Sequence, residues 1–394
     1  MSDVTNPKVA LRFVLLIGML SFFADFTYEG SRSIVGPYLA SLQASGAIVG
    51  VVTGFGELLG YGLRLFSGRW ADATGRYWPI TIFGYVVQMA SVPALALTGS
   101  WQAAAALIVL ERVGKAIRNP PRDVMLSYAG KQIGGYGWAF GLHEALDQCG
   151  AVLGPVAVSI VLAIKHDYRK AFAVLLIPAV VNLIILLAAR CLFPKPENLG
   201  PSQQPTGRAE LPRSFWIYLL GAILVAAGFA DYPLIAYHFT RAQTVPSDWV
   251  AIFYAVAMGV SGIGSLTLGR LFDRYGFRVV AILTVASALV APLVFLGGFW
   301  LSLLGVALWG LGMGVHESII PAAVAPMVSV RRRATAFGMF TAGYGIFWFL
   351  GSAIIGFLYD RSLWAVIAFC VVTQLAAVPV FIWVGRRRTI WNRA

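Results

Sequence analysis

The sequence predicts an all-α membrane protein, with twelve transmembrane helices in two pseudo-symmetric six-helix bundles. Three observations predict it. Hydrophobic residues make up 59% of the 394 and charged residues only 12%, whereas a soluble domain carries about 25% charged residues. The apolar residues gather into runs that reach the roughly 20 residues a helix needs to cross the hydrocarbon core, and mean hydropathy is +0.77. A charged motif also occurs twice, half a chain apart: Gly68-Arg69-Trp70-Ala71-Asp72-Ala73-Thr74-Gly75-Arg76 and Gly269-Arg270-Leu271-Phe272-Asp273-Arg274-Tyr275-Gly276-Phe277-Arg278. Duplicated hydrophobic halves, each with a basic hinge after its second span, have the build of a secondary transporter.

The spans follow in order. Span 1 (about 11–39) carries Asp25, Glu29 and Arg32 at i, i+4 and i+7, along one helix face. Span 2 (about 46–67) carries Glu57 and Arg64, also i, i+7, and the first copy of the motif follows it. Span 3 covers about 77–98. Span 4 (about 101–126) is the most charged, with Glu111-Arg112-x-Gly114-Lys115 and then Arg118 and Arg122 at i, i+4. Span 5 (about 134–163) holds His143, Glu144 and Asp147, and the glycine series Gly141, Gly150, Gly154 followed by Pro155. Span 6 covers about 168–192. Residues 194–212 are rich in Pro and polar residues without periodicity, and read as a cytoplasmic linker. The expected bundles are therefore 1–193 and 213–394.

Span 7 (about 213–240) repeats the Phe-Ala-Asp-aromatic sequence of span 1 as Phe229-Ala230-Asp231-Tyr232. Span 8 (about 248–270) leads into the second copy of the motif, and span 9 covers about 277–297. Span 10 (about 299–328) contains His316-Glu317. Span 11 (about 333–358) opens on Ala336-Phe337-Gly338, as span 5 opens on Ala139-Phe140-Gly141, with Gly351 spaced from Gly338 as Gly154 is from Gly141. Span 12 covers about 362–386. Several matches in the same order indicate duplication.

A formal charge of +13 would suit a nucleic-acid partner, but its placement argues against one. Alternate loops on one side hold Arg69, Arg76, Lys131, Arg190, Arg270, Arg274, Arg278 and the clusters Arg331 to Arg333 and Arg386 to Arg388. The other side holds Lys165, Arg169, Lys170, Arg241 and Arg361. This positive-inside bias predicts cytoplasmic termini in a multi-pass plasma (inner) membrane protein. A cleavable signal peptide is not expected, because the first apolar run is long and charged. Cys149, Cys191 and Cys370 lie in separate spans and suggest neither a disulfide framework nor a metal site. No Gly-x4-Gly-Lys-Ser/Thr sequence occurs, and no nucleophile–base pair or cofactor motif is evident. An enzyme, an ATP-driven pump and a bound cofactor are therefore not expected, and a proton gradient is the expected energy source.

Gly68–Arg76 resembles the loop 2–3 signature of the major facilitator superfamily, and Gly269–Arg278 its loop 8–9 copy. Gly141-x8-Gly150-x3-Gly154-Pro155 resembles the glycine-proline signature of the superfamily's antiporters, although Val158 and Ser159 stand where that pattern ends in a glycine pair. The span 1, 4 and 5 sequences resemble a poorly characterised prokaryotic subgroup. The resemblance implies a monomer working by alternating access. It also implies a cytoplasmic latch of Gly68, Asp72, Gly75 and Arg76, with Gly269, Asp273 and Gly276 as its copy. In the superfamily the loop aspartate sits near the N-terminal end of span 11, whose partial positive charge favours a carboxylate.

Ionisable residues inside spans are costly in lipid and usually serve function. The expected coupling or substrate residues are Asp25, Glu29, Arg32, Glu57, Arg118, Arg122, His143, Glu144, Asp147, Asp231, His316 and Glu317. Asp25 and Glu29 are the expected proton carriers, and a static salt bridge is the bland alternative for each. The leading expectation is a proton-coupled exporter of a small organic solute. A symporter importing an anionic metabolite, with Arg32, Arg118 and Arg122 supplying the charge, is the alternative. A non-transporting sensor or scaffold is the reading of a different class.

Overall fold

The computed structural model describes residues 7–133, 136–199, 211–316, 324, 327 and 333–391. Among them twelve helical spans follow one another and no strand occurs. They are α1 (Pro7–Ser41), α2 (Gly46–Thr74), α3 (Tyr77–Ala94), α4 (Trp101–Gly130), α5 (Tyr136–Lys165), α6 (Tyr168–Leu192), α7 (Arg213–Ala242), α8 (Ser247–Tyr275), α9 (Phe277–Leu296), α10 (Phe299–Gly314), α11 (Arg333–Tyr359) and α12 (Leu363–Trp391). Ten of them have the length and apolarity to cross a membrane. Of the other two, α10 is apolar but short, and α4 is long but carries the buried charges of the site.

The residues group into two compact units. One contains Met1–Ile34 and Leu59–Gln204, and the other Val35–Leu58 and Pro205–Ala394. The end of α1 and the start of α2 thus belong with the second unit.

Close helix crossings form where glycine removes the side chain. In the first unit, a Cβ on Gly150 or Gly154 of α5 would overlap the carbonyls of Phe22 and Phe26 on α1. A Cβ on Gly84 of α3 would lie 2.7 Å from the Gly114 carbonyl of α4. In the second unit, Gly351 of α11 meets the Ala227 backbone of α7, and Gly310 of α10 meets Ala257 of α8. Without a hydrophobic drive between helices in lipid, such packing supplies much of the association. The α5–α1 and α11–α7 crossings recur at matching glycines of the duplicated sequence.

The motif turns are also duplicated. Gly75 and Gly276 have φ of 63° and 62°, the left-handed region that favours glycine. Each amide closes the preceding helix, Gly75 onto the Ala71 carbonyl at 2.8 Å and Gly276 onto the Phe272 carbonyl at 2.7 Å. One expectation is corrected here. Asp72 and Asp273 lie inside the last turns of α2 and α8, not in loops beyond them. No residue before Gly75 or Gly276 breaks the helix, so it continues past the apolar run.

A second correction concerns α7, which is not continuous. Arg213–Ala227 stops, and Tyr232–Ala242 restarts after Asp231 with Pro233 in its first turn. The freed Ala230 carbonyl accepts from Trp309 Nε1 at 2.8 Å, which satisfies a backbone group that lipid could not.

Candidate functional site

The first unit gathers a charged cluster from α1, α3, α4 and α5. Glu111, Lys115, Arg118 and Arg122 are spaced i, i+4, i+7 and i+11, so α4 turns one charged stripe to its neighbours. Behind it, the Gly84–Gly114 approach brings Tyr85 and Gln88 of α3 against Arg118. Arg118 Nε donates to Gln88 Oε1 at 2.5 Å, and its Nη1 donates to the Tyr85 hydroxyl at 2.9 Å. The Gln88 amide turns its other end to Glu111 Oε1 at 2.8 Å. Gln88 is thus a neutral bridge between a buried cation and a buried anion. Arg118 is wholly buried.

In front of Arg118 stands Asp25 of α1. Its Oδ1 lies 3.6 Å from Arg118 Nη2 and 3.7 Å from Lys115 Nζ. That oxygen is buried and has no hydrogen-bond donor. Lys115 also rests on the Tyr28 ring, 3.8 Å from its centroid, and the Arg112 guanidinium lies 4.8 Å from the same ring. Glu29 and Arg32 are buried on the next turns of α1, and Arg32 Nη1 reaches the Tyr28 hydroxyl at 3.3 Å.

A second chain of contacts runs beside the first. Arg122 Nε and Nη2 both donate to Asp123 Oδ1, at 2.9 and 2.8 Å. Its Nη1 donates to Ser21 Oγ at 3.0 Å, and Ser21 Oγ is 2.6 Å from His143 Nε2. Ser21 therefore joins Arg122 of α4 to His143 of α5. Asp147 lies one turn further along α5, where its carboxylate feels the charges of Asp25, Glu144, Arg122 and Lys115. Its Oδ1 is buried with no hydrogen-bond partner, whereas Glu144 is exposed.

Of the expected residues, Asp25, Arg118, Arg122, His143 and Asp147 fall in this one region of the first unit. Glu57, Asp231 and His316 belong to the second unit. The Asp231 carboxylate accepts from Trp348 Nε1 and Ser352 Oγ, each at 3.1 Å, and so ties the restart of α7 to α11. His316 Nδ1 is 2.7 Å from the Tyr344 hydroxyl. Asp72, Gly141, Gly269 and Asp273 are placed on their helices, but their surroundings lie outside the described residues, as does Glu317 altogether. Gly68 packs its backbone near Pro120 of α4, and Ser67 Oγ donates to the Ala116 carbonyl at 2.9 Å. No group of three metal-ligating side chains occurs among the described residues.

Sequence reasoning missed Lys115, Glu111, Gln88, Tyr85, Tyr28 and Ser21. The 4-3-4 spacing along α4 was a readable signal for Glu111 and Lys115. A lone glutamine in an apolar span was the weaker one for Gln88.

The sequence profile of the Major Facilitator Superfamily matches residues 14–245 and 215–393. The chain belongs to the major facilitator superfamily. An uncharacterized protein of Mycobacterium tuberculosis is 39% identical over 383 residues, covering 95% of this chain and 93% of its own. An uncharacterized transporter of this superfamily from Methanocaldococcus jannaschii is 26% identical over 376 residues, covering 91% of each chain. The fold is shared with the nucleoside transporter NupG, at TM-score 0.77 and 16% identity over 94% of this chain and 100% of that one. It is also shared with a bacterial homolog of the human lysosomal transporter Spinster, at TM-score 0.73 and 15% identity over 96% and 97% of the two chains. Membership makes this a multi-pass membrane protein of a transporter family rather than of an enzyme family, and the superfamily's members act on small molecules as secondary transporters.

Proposed function

We propose that this chain is a proton-coupled secondary transporter in which Asp25 gains and loses the proton. One observation carries the reading. A single carboxylate oxygen of Asp25 faces both Lys115 and Arg118 at ion-pair distance, buried and without a hydrogen-bond donor. Adding one proton there removes the countercharge of two cations together. Arg118 is held from behind by Gln88 and Tyr85, so protonation would loosen α1 from α4 and leave the arginine in place. Opposite charges favour the ionised form, and an apolar surrounding favours the neutral one. A site that alternates between the two environments converts access into proton movement.

Export by antiport is the leading direction. It is supported by the resemblance of the α5 glycine series to the superfamily's antiporter signature and by the tight Gly150 and Gly154 seam on α1. A second reading is symport of an anion. Its support is the same pair of cations, which would take an anionic substrate once Asp25 is neutral. Both termini are proposed to be cytoplasmic and the protein to act as a monomer in the plasma membrane, a reading supported by the loop charges and the superfamily resemblance.

The test uses purified protein in liposomes with an internal pH dye and a small imposed proton gradient. Drugs, sugars, nucleosides, peptides and organic anions are added in turn to wild type and Asp25→Asn. Proton flux triggered by one class and abolished in Asp25→Asn is the expected result, and its sign separates antiport from symport. Full proton-coupled flux in Asp25→Asn would remove Asp25 from the mechanism. Silence of folded wild type across the panel would favour the sensor or scaffold reading.

A further inference from the structure

The motif latch expected at Asp72 has an opposite number that the sequence did not announce. Asp360 follows the C-terminal end of α11, and its carboxylate meets the N-terminus of α2. Oδ1 accepts from the Gly46 amide and Oδ2 from the Ala47 amide, each at 2.8 Å. Both partners lie in the second unit, which includes Val35–Leu58. The first amides of a helix have no partner within it, and a carboxylate placed there gains two charge-assisted bonds and the favourable end of the helix dipole.

The surroundings are built to part and reseal. A Cβ on Gly50 of α2 would overlap the Ser352 carbonyl and come within 3.0 Å of Gly356 Cα on α11. A Cβ on Gly54 would lie 2.8 Å from Ser352 Cβ. The two helices therefore touch backbone to backbone over more than one turn, and the Phe55 and Phe349 rings, 6.0 Å apart, meet edge to face beside that seam. The Tyr237 hydroxyl of α7 adds one bond to the Ala44 carbonyl at 3.0 Å, just before α2. Asp360 is itself exposed, so water replaces the lost bonds when it lets go.

We propose that Asp360 is an outer latch: it clamps the start of α2 while the outer side is shut and releases it when that side opens. Asp72 near the end of α2 is the inner latch that the superfamily resemblance implies, and Asp360, just past the end of α11, would be its outer counterpart. This inference rests on the transport reading and on the orientation given above.

The experiment needs no substrate. In a chain with Cys149→Ser, Cys191→Ser and Cys370→Ala, the wholly buried Val49 of α2 is replaced as Val49→Cys. Its modification by a membrane-impermeant maleimide is timed in right-side-out and inside-out vesicles. Asp360→Asn should speed the reaction about five-fold, the scale of losing a helix cap. Tyr237→Phe, which removes the neighbouring tie by a milder change, should act in the same direction. Adding Asp72→Asn to Asp360→Asn should slow the reaction again, since freeing the inner side favours closing the outer one; a merely loosened fold would react faster still. Rates within two-fold of the parent in both Asp360→Asn and Tyr237→Phe would overturn the latch, as would a further acceleration on adding Asp72→Asn. An acceleration that Asp72→Asn leaves unchanged keeps the outer latch and removes the inner one. Acceleration seen only in inside-out vesicles keeps the latch and overturns the orientation.

Discussion

At the scale of single residues, the site is a set of charges whose partners lie on other helices. Breaking a buried pair strands the remaining charge, which typically costs about 3–5 kcal/mol. Arg118 is cushioned against this, because Gln88 and Tyr85 hold two of its nitrogens whatever Asp25 does. Gln88 is the more vulnerable point. Gln88→Leu should lower unfolding stability by roughly 2–3 kcal/mol, since it leaves Glu111 and Arg118 each short of a buried bond. Thermal unfolding in detergent would show it, and a loss under 0.5 kcal/mol (order of a surface change) would mean that water replaces the amide. Trp348→Phe should cost less, about 1 kcal/mol, because Asp231 keeps the Ser352 hydroxyl. Asp25, Arg118, Arg122 and His143 were legible in the sequence because a titratable residue in an apolar run stands out. Gln88, Tyr85 and Ser21 were not, because neutral polar residues are ordinary in spans. Only the close approach at Gly84 and Gly114 gives the first two their role.

At the scale of elements, apolar run length located the spans, and the glycine turns closed α2 and α8 at Gly75 and Gly276. The break in α7 was hidden, since Phe229 and Ala230 carry the apolar run up to Asp231 and Pro233 alone hints at a restart. Where helices cross at glycine, a side chain has nowhere to go. Gly150→Leu should therefore abolish monodisperse protein, because its Cβ already meets the Phe22 carbonyl. Gly60→Ala, also inside a helix but with nothing within 4 Å of its Cβ, should leave the elution profile unchanged and gain about 0.5–1 kcal/mol of helix preference. Equal elution profiles for the two variants would show that the α1–α5 seam can widen.

At the scale of the whole molecule, the duplicated halves divide their chemistry unequally. The first unit concentrates buried cations and carboxylates. The second packs rings together: Trp309 lies beside Phe229, Tyr232 and Tyr254, and Trp348 beside Tyr344 and His316. The repeat was legible from sequence because turns and crossings demand glycine in both copies. The grouping of Val35–Leu58 with the second unit was not, because Gly46, Gly50 and Gly54 mark a close crossing without saying which helix comes close.

The charged stripe of α4 has a consequence for how the chain is made. Glu111, Arg112, Lys115, Arg118, Arg122 and Asp123 all lie within one helix, and each such residue near mid-membrane costs about 2.5–3.5 kcal/mol when a helix enters lipid alone. During synthesis α4 is therefore expected to stall at the translocon until α3 is there to receive it, with Gln88 and Tyr85 solvating Arg118 as the pair enters as a hairpin. In a glycosylation-mapping assay, α4 fused alone to a carrier should fail to integrate, α3–α4 should integrate, and α3–α4 bearing Gln88→Leu should integrate poorly. Efficient entry of the solitary α4 would place the order of assembly elsewhere.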